Sequence, residues 1–296
     1  MARRFELIGV PTSAGAHGPG QEKAPVALRE AGLVEALRGV GLDLDVGSDL
    51  PVTRFQPDTE HRKQQSIGRV TAVATQVAGR IEARDRGRIP LVIGGDCTIT
   101  LGVISGLLRG MPDDLGLLYL DGDIDLNTPA TTRSGILDGM GIAHVIGLAD
   151  DALSAIGPQQ PLLPDERILL FGYDPAEQDA VQLEALERRK IFRYTSTAVR
   201  DDPKATARHA LDQLQRHAKR VVLHFDVDVI DSTEVPLGDF PHFNAGLSFD
   251  NAMTCLNVFL ATPSLAAFVI TEINPDRDPD GRLVRKFVQR LASAFS

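Results

Sequence analysis

Short apolar runs recur along the chain, and segments with helical spacing of apolar residues separate them. Seven runs are predicted as strands, at residues 5–10, 90–93, 115–120, 168–171, 191–194, 221–225 and 268–271. Helical spacing predicts helices over residues 25–37, 66–83, 177–190, 203–218, 249–260 and 283–294. Most of the strands are apolar throughout, which is typical of parallel strands covered by helices on both faces.

This alternation predicts an α/β fold, a doubly wound parallel sheet flanked by helices. The polar segments between the elements do not shift the composition enough to mark a linker, so residues 1–296 are interpreted as one domain. Ligands of such folds bind beyond the carboxyl ends of the strands. Catalytic and ligand-binding residues are therefore expected directly after the strands.

Composition narrows the function classes. The chain carries 31 Lys and Arg against 40 Asp and Glu, a net charge of −9, which argues against a nucleic-acid partner. No apolar run approaches the roughly 20 residues of a membrane helix, so no membrane association is expected. Cys97 and Cys255 are the only cysteines, too few for a disulfide framework. Because such a chain is typical of a reducing compartment, the cytoplasm is the expected location.

Five carboxylates follow two of the predicted strands. Asp121, Asp123 and Asp125 alternate after one strand, and Asp226 and Asp228 follow another. Alternate residues of an extended chain share a face, so these side chains converge if the two strands are neighbours. Several like charges at one point repel unless a cation lies between them. Oxygen ligands favour hard ions such as Mg²⁺, Ca²⁺ or Mn²⁺.

Cys97 follows a third strand, in the segment Gly94-Gly-Asp-Cys97. The glycines allow a tight turn, and the cysteine is expected at the start of the next helix, where a thiolate is favoured. It is either a soft ligand beside the carboxylates or a small buried apolar residue.

Taken together, four motifs resemble those of the arginase and agmatinase family, the ureohydrolases. They are Gly94-Gly-Asp-Cys97, Asp121-Gly-Asp-Ile-Asp-Leu-Asn-Thr-Pro129, Asp226-Val-Asp-Val-Ile-Asp231 and Glu272-Ile-Asn-Pro275. Residues 24–33 also look like the first helix of that family. The resemblance implies an arginase-like three-layer α/β/α fold and a small guanidino substrate. It also implies a homo-oligomer, a trimer or hexamer.

The resemblance implies two Mn²⁺ ions per chain, other divalent ions being possible, and a metal-bridging hydroxide that attacks a guanidinium carbon and releases urea or a urea derivative. It places Cys97, Asp121, Asp125 and Asp228 around one ion, and Asp123, Asp125, Asp226 and Asp228 around the other. Asp125, together with Asp226 or Asp228, would bridge the two. Glu272 would orient the cationic group of the substrate, and Asn127 and Ser134 would lie near its amino-acid end. Asp174 and Glu177 would either receive its amine or be acidic residues of a helix N-terminus.

The sequence departs from the family pattern where histidines are expected. Cys97 and Asp123 replace two ligand histidines, Asp138 stands where arginases place a proton-shuttling histidine, and Ile136 replaces a substrate-binding asparagine. Thiolate and carboxylate add negative charge and weaken Lewis acidity, which favours a more reactive substrate such as an N-hydroxyguanidine.

Three other histidines are candidates to replace the missing ones. His242, in a loop, is the better candidate for proton transfer, and His144 and His224 are interpreted as structural.

Two alternatives stay open. The protein could be a metal-binding homologue that is non-catalytic or regulatory. It could also be a phosphatase with Asp121 as nucleophile and Asp123 as acid or base with Mg²⁺, although Asp226, Asp228 and Glu272 would then have no role.

Overall fold

Eight parallel strands form one sheet in this computed structural model, which describes residues 3–111 and 114–296. The strands are β1 (Arg4–Gly9), β2 (Asp43–Val46), β3 (Ile89–Ile93), β4 (Leu115–Leu120), β5 (Ile168–Phe171), β6 (Phe192–Tyr194), β7 (Arg220–Asp226) and β8 (Leu265–Thr271). Their order across the sheet is β2-β1-β3-β8-β7-β4-β5-β6. Consecutive strands β3 and β4 are thus separated by β8 and β7, and these four occupy the centre.

Helices cover both faces of the sheet. In the described parts of the chain they are α1 (Ala24–Glu30), α2 (Leu33–Gly39), α3 (Ile67–Glu82), α4 (Ile99–Leu108), α5 (Gly141–Val145), α6 (Ala180–Glu187), α7 (Ser196–Arg200), α8 (Pro203–Gln215), α9 (Phe249–Leu260) and α10 (Arg282–Ser293). Leu91 and Ile93 pack into one apolar core with α1, α2, α8, α9 and α10, whereas Val92 packs into a second with α3, α4 and α5. Alternate residues of each strand therefore bury on opposite faces, and the predicted doubly wound α/β fold is confirmed.

Several elements differ from the sequence prediction, which gave no bounds for α4, α5 or α7. β2 was not predicted, because it is an edge strand in which only Leu44 is buried. The helix predicted over residues 25–37 is two helices, α1 and α2, because the backbone turns at Gly32 with a φ of 88°. The helix predicted over residues 177–190 is shorter, since Glu177 belongs to a separate 3-10 turn ahead of α6.

The register of the central strands decides which side chains meet at the carboxyl edge. Leu120 pairs with Phe225, so Asp121 follows β4 beside Asp226, the last residue of β7. Asp226 in turn pairs with Thr271, the residue before Glu272. Among the described residues, no helix has the length and apolar character needed to cross a membrane.

Candidate active site

A cavity of about 290 Å³ opens at the carboxyl ends of the central strands. Most residues that the sequence singled out line it, namely Cys97, Asp121, Asp123, Asp125, Asn127, Ser134, Asp138, Glu177, Asp226, Asp228 and Glu272. The volume is at the lower end of the range for small-molecule sites. The cavity therefore fits a small polar ligand, and its floor is made of acidic groups.

The deepest part of the site is a buried cluster of Cys97, Asp121, His224 and Asp226, which we call the inner cluster. One potential ligand atom from each lies within 4.8 Å of the others. The Cys97 thiol donates to Asp226 Oδ2 at 2.7 Å, and its Sγ lies 3.5 Å from His224 Nε2. The residues present thus offer sulfur, nitrogen and oxygen to one point.

His224 is the member that the sequence did not single out as a ligand. Its Nδ1 pairs with the Thr100 hydroxyl at 2.8 Å, and its ring stacks on Tyr119 at 4.0 Å. Burial lowers its pKa to about 3, so the ring is neutral. It is buried and hydrogen-bonded as expected, yet it also faces the carboxylates. The sequence could have identified it as a candidate ligand, because it lies two residues before Asp226 and therefore on the same face of β7.

A second group, which we call the outer cluster, consists of Asp123, Asp228 and His242. His242 Nε2 lies 3.6 Å from Asp123 Oδ2 and 3.9 Å from Asp228 Oδ2. Burial alone would lower the pKa of His242, but the nearby carboxylates of Asp123 and Asp228 raise it to about 10. In the absence of metal the imidazole is therefore a cation between two carboxylates.

The inner carboxyls are held in an environment that disfavours their charge. Burial first, and then repulsion by neighbouring carboxylates, raises the pKa of Asp121 and of Asp226 well above its usual range. The same causes raise the pKa of Asp228 to about 6, although the charge of His242 partly offsets them. Divalent cations would remove this repulsion. The carboxylates are the donors that hard ions prefer, and Cys97 and His224 add a softer sulfur and a nitrogen to the inner cluster.

The prediction that Cys97 is a thiolate is wrong for the metal-free protein. Burial and the charge of Asp226 raise the pKa of the Cys97 thiol well above its usual value. The helix begins only at Ile99, and the neighbouring carboxylates outweigh any benefit from its N-terminus. Cys97 would become a thiolate ligand only on metal binding, which releases its proton.

Glu272 and Asp138 face Cys97 from another side of the cavity and form a third close group with it. Glu272 has a φ of 64°, an uncommon conformation for a residue with a side chain, and its N–H donates to Gly95 O at 2.9 Å. Gln21 donates to its carboxylate. Asp138 Oδ1 accepts the N–H of Cys97 at 2.6 Å, and burial, followed by the charge of Asp96, raises its pKa to about 8.

The clusters divide the carboxylates differently from the division that the resemblance implied. Asp228 lies with Asp123 and not with the Cys97 group, and Asp226 lies with Cys97. Asp125 lines the cavity but belongs to none of the three close groups, and its Oδ2 accepts the Tyr119 hydroxyl at 2.5 Å. The physical reason is its left-handed backbone, with a φ of 47°, which interrupts the extended alternation after Asp123.

The residues expected at the substrate's far end are only partly brought together. Asn127 and Ser134 line the cavity, and the apolar Ile136 lies with them. Glu177 also lines it but accepts a hydrogen bond from His242 Nδ1. Asp174 is not among the lining residues.

Asp174 and His144 have local structural roles. Asp174 accepts the N–H of Ala176 at 2.9 Å and caps a short turn, as acidic residues do at helix starts. The structural role predicted for His144 is confirmed, since it is buried and bonds to Met140 O at 2.8 Å and to Asp151 at 3.0 Å.

The fold and the acidic cavity together define an α/β protein with a candidate metal site at the carboxyl edge of its sheet, and sequence comparison specifies the family. The sequence model of the arginase family matches residues 3–295, and the chain belongs to that family. The resemblance seen in the motifs is thereby confirmed, and it displaces the phosphatase alternative.

Named relatives are similar over nearly the whole chain. Arginase from Brevibacillus brevis is 28% identical over 299 residues, covering 100% of this chain and 98% of the relative. Human arginase-1 is 30% identical over 282 residues, covering 93% and 86%. Among known structures, arginase from Bacillus caldovelox superposes with a TM-score of 0.88 at 24% identity, covering 99% and 98% of the two chains. Formimidoylglutamase from Bacillus subtilis gives 0.78 at 18% identity, covering 100% and 87%, which shows a shared fold.

Proposed function

We propose that the protein is a hydrolase that cleaves a C–N bond of a guanidino or N-hydroxyguanidino compound with the help of two divalent cations. The observation that carries the proposal is the pair of ligand clusters on the floor of one cavity, with Glu272 facing them. Membership of the arginase family supports the same reaction class. Hydrolysis would add water across the C–N bond and give urea, or a urea derivative, and an amine.

The cations would be Mn²⁺ in the first instance, with other hard divalent ions as substitutes. Cys97, Asp121 and Asp226, with His224 beside them, would hold one ion, and Asp123 and Asp228 would contribute to holding the other. Bound there, the two ions would lower the pKa of a water molecule and so supply a nucleophile near neutral pH.

Glu272 would position the substrate. Its carboxylate is buried, and burial followed by the charges of Asp138 and Asp226 raises its pKa well above its usual range. A guanidinium cation entering the cavity would favour the ionised form and pair with it in two parallel hydrogen bonds. Asn127 and Ser134, further along the wall, would contact the rest of the molecule.

Asp138 would carry the proton that the departing amine needs. The N–H of Cys97 fixes its carboxyl group, and a pKa of about 8 lets it hold a proton near neutral pH. It stands where arginases are expected to have a histidine, so a carboxyl group with a raised pKa would take over that role.

The substrate class follows from the charge of the site. Cys97 and Asp123 stand where the family is expected to have neutral imidazoles, and each adds a negative charge once ionised. A more negative site stabilises a bound hydroxide less, so the nucleophile would be weaker at a given pH. An N-hydroxyguanidine has a more reactive C–N system, and it is the substrate that we favour.

The remaining expectations rest on composition and on family resemblance. From composition we expect residues 1–296 to form one domain and the protein to work in the cytoplasm. From the resemblance we expect the chain to assemble as a trimer or hexamer.

Elemental analysis and product assay on one sample would test the proposal. The protein, purified under reducing conditions and supplied with Mn²⁺, should hold about two ions per chain and release hydroxyurea from N-hydroxyarginine faster than urea from arginine or agmatine. Equal turnover of arginine would overturn the preference for N-hydroxyguanidines. Bound metal with no product from any guanidino compound would favour the non-catalytic alternative, which the altered ligand positions make a real competitor.

A further inference from the structure

The backbone of His242 is fastened to the chain that follows β7. Its N–H donates to the Ser232 hydroxyl at 3.0 Å, and the N–H of Ser232 donates to the carbonyl of His242 at 2.8 Å. The loop between these residues therefore returns His242 to the carboxyl end of the strand that carries Asp226 and Asp228. His242 is 3% exposed, and the two hydrogen bonds with Ser232 fix the position of its backbone.

The two ring nitrogens of His242 have different surroundings. Nδ1 is bonded to the carboxylate of Glu177, whereas Nε2 is buried and has no hydrogen-bond partner among the described residues. Buried polar atoms without a partner are uncommon in folded proteins. A carboxylate on one nitrogen, with the other nitrogen directed at acidic groups, is the arrangement that metal-binding histidines commonly have.

The distances around Nε2 suit a shared ion. Nε2 lies 3.6 Å from Asp123 Oδ2 and 3.9 Å from Asp228 Oδ2. Two ligand atoms that are each about 2.1 Å from one ion lie about 3.0–3.5 Å apart at angles of about 90° to 110°. Movements of about half an ångström would therefore bring all three atoms to a common ion.

Gly122 makes room for the ring. A Cβ at this position would lie 2.3 Å from His242 Cδ2 and 2.5 Å from Nε2, which no ordinary contact allows. The glycine sits between Asp121 and Asp123, so the motif that supplies the carboxylates also admits the imidazole between them.

We propose that His242 is a metal ligand, which coordinates the outer ion through Nε2 together with Asp123 and Asp228. The imidazole that the family resemblance places at position 123 is thus supplied in this chain from the loop after β7. The proposal rests on the metal-binding part of the proposed function. It replaces the proton-transfer role expected for His242, because the residue is not among those that line the cavity and its free nitrogen faces the carboxylates.

Metal content of the His242→Ala protein tests the assignment. We expect wild type to bind about two Mn²⁺ per chain and His242→Ala to bind one, with the affinity of the outer position lowered more than about 100-fold. His17→Ala is the matched control, since His17 lies in the wall of the same cavity but in none of the ligand clusters. It should keep both ions. Retention of both ions at unchanged affinity in His242→Ala would overturn the assignment.

A variant that keeps the ring but not its nitrogens separates coordination from packing. His242→Phe retains a planar ring and has no nitrogen donor, so it should lose the outer ion as His242→Ala does. A His242→Phe protein that keeps both ions at unchanged affinity would show that packing of the ring, and not coordination, holds the site, and the assignment would be wrong. Pulsed EPR of the Mn²⁺-loaded protein with ¹⁵N-labelled histidine adds a direct readout, because the nitrogen coupling should weaken in His242→Ala and persist in His17→Ala.

The same measurements distinguish this inference from the proposed function. Two ions in wild type and two in His242→Ala would overturn the ligand role alone and leave the hydrolase proposal intact. Wild type that binds no divalent ion would overturn both. Two ions in wild type with no guanidino hydrolysis would remove the enzymatic proposal, and His242 would keep its role in a metal-binding protein.

Discussion

The inner and outer clusters take their carboxylates from the ends of the same two strands, β4 and β7, but differ in how their polar atoms are satisfied. In the inner cluster the Cys97 thiol donates to Asp226, and His224 is held by Thr100. In the outer cluster His242 Nε2 has no hydrogen-bond partner within the part of the chain that the structure describes. The inner cluster can therefore persist as protonated, hydrogen-bonded groups without metal. The outer cluster is completed only when an ion is bound.

Removing a ligand from one cluster is the strongest test of whether the two clusters bind their ions independently. Asp121→Asn removes a carboxylate from the inner cluster only, so the inner ion should be lost and the outer ion kept. We expect kcat/KM to fall about 10³-fold, since a bound cation contributes several kcal/mol to catalysis. Elemental analysis and product assay check this, with Asp174→Asn as the control outside the cavity. Loss of both ions together would show that the clusters do not act separately.

Glu272→Gln distinguishes substrate positioning from metal binding. Both ions should remain, because Glu272 belongs to neither cluster, while kcat/KM for the guanidino substrate should fall about 100-fold through poor orientation. Metal content and steady-state kinetics on the same preparation give the answer. Substantial loss of metal would instead assign Glu272 to the metal centre.

The metal-free protein should lose stability as the pH rises. The pKa of Asp228 is raised to about 6 and that of Asp138 to about 8, from an ordinary 3.8, and that of His242 is raised from 6.5 to about 10. Between pH 5 and pH 8 the folded state therefore keeps protons that the unfolded chain has released, so the free energy of unfolding falls with rising pH.

Thermal melts in chelator should show this as a melting temperature about 5–10 °C lower at pH 8 than at pH 5. Asp228 ionises before the inner carboxyls, whose pKa values lie well above their usual range, so the first part of the drop, near pH 6, should come from the outer cluster. Saturating Mn²⁺ should reduce the drop. A melting temperature that rises with pH in the metal-free protein would contradict the scheme.

The smallest expected effect concerns crowding in the inner cluster. Cys97→His restores the residue expected for the family, but His224 Nε2 lies only 3.5 Å from the present sulfur. The larger ring should destabilise the fold by about 1–3 kcal/mol, as overpacking does. Chemical denaturation measures the change, and adding His224→Ser should reverse most of it. A stable single variant would show that the cluster has spare room.

The sequence predicted the central strands and the convergence of Asp121 with Asp226 because both depend on local pattern and on the parallel geometry of neighbouring strands. The position of Asp125 outside both clusters follows from its left-handed backbone, which no alternation of residues reveals. Asp174 was predicted either to bind the amine of the substrate or to be an acidic residue at a helix start; the structure shows that it caps a short turn, and its role in binding stays a prediction.

The histidines were harder to place. His224 was assigned to the core because an apolar strand surrounds it, although its face of the strand is also that of Asp226. His242 was recognised as functional from its loop, but its contact with Asp123 joins residues 119 positions apart in the chain. Such long-range contacts follow from the three-dimensional course of the loop and not from its sequence.

The missing side chain at Gly122 also couples two positions of the sequence. A Cβ there would overlap the ring of His242, so the ring can occupy this place only while position 122 is glycine. With the histidine present, mutation of the glycine would displace it. The two residues should therefore be inherited as a pair, and relatives with a side chain at the first position should have a smaller residue at the second.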